Sequence, residues 1–194
     1  MMLLRKRLSE KKGFSLAETL IAVMIVLLVS IVVAAGMPAA KDAYYKVIES
    51  ANAQVFLSTT LTVLRDELTT ATVTGVSDDG NSIEYVNPIT GSSRITLKED
   101  GAFHLETYSD LEGAMKDRML VSDALRNNPR LRLKPHKLLE IKKQDAASAL
   151  FKIEDSIITV SPISVRSSLL NSEVARLDQA YSIRVLMPEE DTTP

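Results

Sequence analysis

Residues 19–40 read TLIAVMIVLLVSIVVAAGMPAA and contain no charged side chain. A helix over these residues would be about 33 Å long, because each residue adds about 1.5 Å, and the hydrocarbon core of a bilayer is about 30 Å thick. No water satisfies backbone groups in that core, so a single segment can cross it only as a helix. The stretch therefore predicts a membrane-spanning helix over 14–40, with Pro38 kinking or weakening its end.

The thirteen residues before this helix are basic. They contain five basic side chains and one acidic side chain, whereas the whole chain carries a net charge of −2, so the remainder is acidic. Positive segments stay in the cytoplasm, which predicts a single-pass protein with a cytoplasmic N-terminus and an extracytoplasmic head. An ordinary cleaved signal peptide is the alternative, but its apolar region would span only about 7–15 residues.

The junction between the basic and apolar segments resembles a known family. Residues 11–20, KKGFSLAETL, are similar to the cleavage and methylation signal of type IV prepilins and type II secretion pseudopilins. The resemblance implies that a membrane-embedded prepilin peptidase cuts between Gly13 and Phe14 and then methylates the new amine of Phe14. Glu18 matches the acidic fifth residue of the mature family, which implies an assembly salt bridge with that amine. Snorkelling of Glu18 to the lipid headgroups is the alternative.

The resemblance covers about residues 5–40 and implies a structural function. The chain would be processed in the cytoplasmic (inner) membrane and assembled through its apolar helix into a type IV pilus-like filament at the cell surface or in the periplasm. Its partners would be the peptidase, other pilin-like subunits and the membrane assembly platform. Leu27 and Pro38 depart from the positions of Gly and Pro in many major pilins, which favours a minor pilin or pseudopilin. A single-pass anchored binding domain that does not polymerise is the alternative.

The chain after the span predicts an α+β fold, and the family resemblance implies that this fold is pilin-like. Residues 41–74 read as an amphipathic helix that continues the span and ends before Gly75. Short segments with strand character follow at 73–77, 82–86, 94–98 and 102–108, and turn sequences separate them, which predicts an antiparallel β-meander packed on the helix. The predicted apolar face of the helix consists of Tyr44, Ile48, Ala51, Val55, Leu57, Leu61, Leu64, Leu68 and Ala71.

The second half of the chain carries weaker signals. A capping box of Ser109 and Glu112 predicts a helix over 109–128. One or two strands are predicted over 149–165, a short helix over 168–180 and a last strand over 182–187. The domains are thus a cleaved leader (1–13), the span (14–40), the continued helix (41–74), an exported head (75–187) and a disordered polar tail (188–194).

No residue pattern points to catalysis. The chain has no cysteine and two histidines, which excludes thiol catalysis and Cys-based zinc sites. The residues His104-Leu105-Glu106 resemble the His-x-Glu motif of deaminases, but this chain has no cysteine to complete the zinc site of that family. We therefore predict that His104 and Glu106 form a cross-strand pair on the surface. Loops 78–81 and 99–101 contain oxygen ligands, but Ca²⁺ requires six to eight of them, so turns are predicted instead. We therefore expect no enzymatic activity, no metal and no cofactor.

A basic segment lies at 126–143, within the head. Phosphate attraction needs only charges, but base stacking needs aromatic residues, and none lies between Tyr108 and Phe151. A solvated face or a salt-bridge surface in a filament is therefore favoured over nucleic-acid binding. The candidate patch for DNA or another partner consists of Arg126, Arg130, Arg132, Lys134 and Lys137.

Overall fold

The computed structural model describes residues 15–109, 114–121, 139–145 and 148–186. In these ranges one helix, α1 (Leu16–Thr69), precedes a series of β-strands. The strands are β1 (Thr72–Val76), β2 (Ser82–Asn87), β3 (Gly91–Leu97), β4 (Phe103–Ser109), β5 (Ala114–Met119), β6 (Leu139–Lys143), β7 (Phe151–Glu154), β8 (Ile157–Val160), β9 (Ile163–Ser167), β10 (Ser172–Arg176) and β11 (Tyr181–Arg184). The chain forms two compact units, Met1–Tyr45 and Lys46–Pro194.

Helix α1 is 54 residues long and continues through Pro38, so no break separates the apolar segment from the rest of the helix. Its most apolar 18-residue window has a mean hydropathy of 3.0, and none of that window is buried. Among the described residues, α1 is the one helix long and apolar enough to cross a membrane. The first unit is therefore compatible with a single-pass membrane anchor.

In the second unit, one face of α1 is buried. The prediction of this face is correct for Leu57, Leu64 and Leu68 but wrong for Ala51 and Val55, which are exposed, and for Tyr44 in the first unit, which is 60% exposed. The helix was predicted to continue to residue 74, but it ends at Thr69, because residues 72–76 form a strand. The buried side chains of α1 are Glu49, Ala53, Phe56, Leu57, Thr60, Leu64 and Leu68.

Two polar residues, Glu49 and Thr60, interrupt the hydrophobic periodicity of this buried face in the sequence. The Ser167 hydroxyl donates to Oε2 of Glu49 at 3.1 Å, and Glu49 is only 1% exposed. The hydroxyl of Thr60 donates to the carbonyl of Phe56 at 2.8 Å. A neutral hydroxyl is buried at little cost when it is hydrogen-bonded, whereas a carboxylate is costly to bury and needs partners such as Ser167. A hydropathy pattern assigns both positions to apolar residues.

The predicted antiparallel meander is confirmed as the sheet β1-β2-β3-β4, and β5 extends it to five strands. Gly80 and Gly101 lie in two of its turns with φ of 63° and 70°, a backbone conformation that glycine adopts readily. The carbonyl of Gly80 accepts a hydrogen bond from the amide of Phe151 at 2.8 Å, and that of Gly101 accepts one from Ile141 at 2.8 Å. Two turns of the meander thus contact the strands that follow later in the chain.

Two predicted helices are wrong where the structure describes them. Ala114–Met119 is strand β5, which pairs with β4, and the remainder of 109–128 apart from Ser109, Leu120 and Val121 lies outside the described residues. Ser172–Arg176 is strand β10, which pairs with β9. Pairing with a neighbouring strand overrides a weak local helix signal, because strand stability depends on cross-strand contacts.

The remaining strands form two small antiparallel sheets, ordered β10-β9-β6 and β11-β8-β7. The region predicted as one or two strands contains three, β7, β8 and β9, and the predicted last strand is found as β11. Phe103 and Phe151 pack with ring centroids 6.1 Å apart in the common core, which also includes Phe56, Leu64 and Tyr85.

The hydroxyl of Tyr85 provides a stability test of this core. Tyr85 is 1% exposed, and within the described residues its hydroxyl makes no hydrogen bond of acceptable geometry, although Glu67 and Ser93 lie close enough to affect its ionisation. Burial and the negative charge of Glu67 raise the pKa of Tyr85. An unsatisfied buried hydroxyl costs about 1–3 kcal/mol, so we expect Tyr85→Phe to leave the melting temperature unchanged or raise it. Tyr85→Ala, which removes the ring as well, should destabilise the head by about 3–5 kcal/mol. A clear loss of stability in Tyr85→Phe would contradict this assignment.

Candidate functional site

The candidate site is the beginning of α1, where the only acidic residue of the segment 15–40 is found. Ser15 precedes the helix, and its hydroxyl accepts a hydrogen bond from the Glu18 amide at 3.2 Å. Oε2 of Glu18 in turn accepts one from the Ser15 amide at 3.0 Å. These reciprocal bonds form a capping box, which satisfies two amides that no helical carbonyl reaches.

The capping box was missed in the sequence, although Ser15-Leu16-Ala17-Glu18 has the spacing that signals one. It places the Glu18 carboxylate beside the amide at the amino end of a long helix. The helix dipole stabilises negative charge at this end. In the single chain the Glu18 carboxylate is therefore held at the amide of Ser15, the residue that directly follows Phe14 in the sequence.

The surroundings of Glu18 are apolar and open. Leu16 is 87% exposed, Leu20 is 61% exposed, and the apolar side chains that follow are exposed along the whole span. The Ser30 hydroxyl, the one polar side chain in the middle of this run, donates to the carbonyl of Val26 at 2.7 Å. The span therefore presents an apolar surface, on which the Ser30 hydroxyl is hydrogen-bonded to the backbone and the Glu18 carboxylate lies at one end.

Several predicted site residues lie outside the described residues. These are Gly13 and Phe14 of the cleavage site and the whole candidate patch of Arg126, Arg130, Arg132, Lys134 and Lys137. Of the basic segment, β6 is described. Its Lys143 donates to Oδ1 of Asn81 at 2.8 Å and to the carbonyl of Ser148 at 2.9 Å, so this cation stabilises the packing of the head.

The two loops with oxygen ligands form hydrogen-bonded turns. Oδ1 of Asp79 accepts bonds from the Ser77 hydroxyl and the Asn81 amide, and these bonds lower the pKa of Asp79 to about 2. Oδ1 of Asp100 accepts a bond from the Ala102 amide at 3.0 Å. Both carboxylates thus stabilise the turns of the meander.

His104 and Glu106 lie on the charged face of the meander. Neighbouring strands align Glu84 with Arg94, Arg94 with Glu106, and Glu106 with Asp117. The last pair places two carboxylates directly opposite each other, which is destabilising. Lys98 offsets this repulsion, because its Nζ lies 2.9 Å from Oε1 of Glu106 and 2.6 Å from Oδ2 of Asp117. Nδ1 of His104 also lies 2.8 Å from Oδ1 of Asp117.

Asp117 is expected to contribute to the sensitivity of the head to acid. Its bonds with Lys98 and then His104 lower the pKa of the carboxyl below its ordinary value. A lowered pKa stabilises the fold above about pH 4, and this contribution is lost as the pH falls below that value. The free energy of unfolding of the wild type should fall between about pH 5 and about pH 3, and we expect this fall to be smaller in Asp117→Asn. The difference should be less than about 1 kcal/mol, because the Asp117 carboxylate and its partner Lys98 are partly exposed. Glu154→Gln, which removes an exposed carboxylate elsewhere, is the control. Equal pH slopes for wild type and Asp117→Asn would contradict the prediction.

Comparisons with known proteins identify no relative of this chain. No family model matches the chain, and no curated protein or solved structure matches it significantly.

Proposed function

We propose that this chain is a structural subunit, of the minor pilin or pseudopilin kind, of a type IV pilus-like filament. Prepilin peptidase removes residues 1–13 and methylates Phe14. The mature chain remains in the cytoplasmic membrane until the assembly platform transfers it into a filament. The apolar halves of α1 then pack against one another in the filament core, and the pilin-like heads face outward.

The observation that supports this proposal is the carboxylate of Glu18 at the start of an exposed apolar helix. A charge near the hydrocarbon region is costly, so such residues are usually functional and paired. A filament core made of these helices would exclude water, and Glu18 would then need a positive partner.

Cleavage supplies that partner. Hydrolysis of the Gly13–Phe14 bond creates an amine one residue before Ser15, whose amide already bonds to Glu18. The carboxylate of a chain waiting in the membrane is thus neutralised in part by its own backbone. In the filament it pairs with the amine of Phe14 from a neighbouring subunit, which sets the axial register of the incoming chain. Removal of the basic leader also removes the charges that hold the N-terminus in the cytoplasm.

The mass of the mature chain tests the processing step. We expect protein from native membranes to lack residues 1–13 and to carry one additional methyl group. Gly13→Val should retain the full-length mass, because a side chain before the scissile bond obstructs close approach of the peptidase. Gly36→Ala is the matched control, since a Cβ at Gly36 meets nothing within 4 Å. Loss of about forty residues in the wild type would instead indicate an ordinary signal peptide and reject the proposal.

A second function is favoured by the capping box. Because Ser15 bonds to Glu18 within one chain, the carboxylate also has a role in a monomer. Under this alternative the protein is an anchored binding domain that presents its head without polymerising. Cosedimentation with sheared filaments supports the first function, whereas retention of all protein in the membrane fraction supports the second.

A further inference from the structure

A cluster of aromatic and basic side chains follows the apolar segment of α1. The ammonium group of Lys41 lies 5.7 Å from the ring centroid of Tyr45. The rings of Tyr44 and Tyr45 pack edge-on, with centroids 6.1 Å apart and an angle of 61° between their planes. We call Lys41, Tyr44 and Tyr45 the interfacial collar. We infer that this collar binds the lipid headgroup layer at the boundary of the membrane span.

The position of the collar along the helix fits that layer. The centre of residues 19–40 lies between Val29 and Ser30, so the Cα atom of Lys41 is about 17 Å further along the axis and those of the tyrosines are about 22 to 23 Å further. The hydrocarbon core ends about 15 Å from the bilayer centre, and the headgroup layer ends about 20–22 Å from it. Lys41 therefore coincides with the headgroups, and the two tyrosines start at their outer edge.

The direction of the side chains brings the rings into the layer. Cα–Cβ bonds in a helix tilt toward its N-terminus, so a long side chain covers the turn that precedes its own Cα atom. The tyrosine rings of the collar consequently extend back toward the membrane.

The chemistry of the collar matches headgroups rather than lipid tails or water. Tyrosine is enriched at membrane interfaces, because its ring is apolar and its hydroxyl reaches water or phosphate. A lysine at the same depth supplies a positive charge to the lipid phosphates, and its apolar stem lies against the outer ends of the lipid acyl chains. Tyr44 is 60% exposed, so this ring is available to lipid.

Tryptophan fluorescence tests the collar directly, because the chain contains no tryptophan. The full chain is reconstituted as Tyr44→Trp, Tyr45→Trp or Val29→Trp in phosphatidylcholine and phosphatidylglycerol vesicles. Bromine atoms on the lipid tails, placed either near the headgroups or near the bilayer centre, quench the probe according to its depth. We expect the two collar probes to be quenched more strongly by the shallow bromines and Val29→Trp by the deep ones. The far-UV circular dichroism of all three variants should match that of the wild type.

Two outcomes would overturn the inference. If Val29→Trp is quenched by deep bromines while both collar probes are unquenched or respond mainly to deep bromines, the span is inserted but the collar does not bind headgroups. If Val29→Trp is also unquenched, the apolar segment does not enter the bilayer at all. The inference rests on membrane anchoring and not on filament assembly, and the vesicles contain no assembly platform. A failure of polymerisation is therefore distinguishable from a failure of the collar.

Discussion

Glu18→Gln is expected to reduce filament assembly at least about tenfold, while the protein still accumulates in the membrane. Glutamine at this position keeps a side-chain oxygen that can accept the Ser15 amide, so the capping box persists. The substitution removes only the charge. Two unit charges about 4 Å apart contribute about 4 kcal/mol at an effective dielectric constant of about 20, and each 1.4 kcal/mol is a factor of ten in equilibrium.

A second variant separates the charge of Glu18 from its capping role. Ser15→Ala removes the hydroxyl that accepts the Glu18 amide, yet it leaves the carboxylate in place. Loss of a helix cap costs about 0.5–2 kcal/mol, so we expect this variant to assemble at close to the wild-type level. Asp42→Asn removes an exposed acid of α1 that lies beyond the span, and it controls for a general effect of charge.

The measurement is the amount of subunit that cosediments with sheared filaments, relative to the amount in the membrane fraction. Wild-type assembly by Glu18→Gln would reject the salt bridge and, with it, the main support for the proposed function. Loss of assembly in Ser15→Ala together with wild-type assembly in Glu18→Gln would show that Glu18 acts through the helix cap and not through its charge.

Among the glycines that the structure describes, Gly80 and Gly101 are expected to be the least tolerant of alanine, and we expect Gly80→Ala to lower the stability of the head markedly. A Cβ at Gly80 would lie 2.3 Å from the Cβ of Ala149 and 2.9 Å from its Cα, well inside van der Waals contact. The φ angle of Gly80 is 63°, which also disfavours a side chain. Relief of the clash requires movement of the turn, which would weaken the bond between the Phe151 amide and the Gly80 carbonyl.

Gly91→Ala is the matched control, because it carries the backbone penalty without the clash. Its φ angle is 79°, but the atom nearest to its new Cβ, the Tyr108 carbonyl oxygen, lies 3.9 Å away. We expect Gly91→Ala to cost about 1–2 kcal/mol from the left-handed conformation. Gly80→Ala should cost about 1–3 kcal/mol more from overpacking.

Thermal unfolding of the full chain in detergent, followed by the circular dichroism of its sheets, measures both variants. A destabilisation of about 1 kcal/mol lowers the melting temperature by about 2–4 °C in a domain of this size. Melting temperatures that are equal for Gly80→Ala and Gly91→Ala would mean that the turn does not pack against Ala149 as described.

The amino-acid sequence correctly predicts features that depend only on residues close together in the chain. The uncharged run of 19–40 predicted one helix of membrane-spanning length, because that inference needs only composition and the rise per residue. The first four strands were predicted within a few residues, since alternating apolar residues and turns such as Asp79-Gly80 are local signals. The errors lie in the buried face of α1 and in the later segments of the head.

Those errors share a physical cause, which is pairing between segments that are distant in sequence. The segment 168–180 was predicted as a short helix, but its strand β10 pairs with β9, and the Val174 carbonyl accepts a bond from the Ser50 hydroxyl on α1. Glu49 is buried, and Ser167, 118 residues later in the chain, donates a hydrogen bond to it. No local window of sequence contains both members of such a pair. The anchor and the meander thus follow from local composition and periodicity, whereas the buried face of α1 and the late strands required the folded chain, in which remote hydrogen bonds and cross-strand contacts outweigh local propensity.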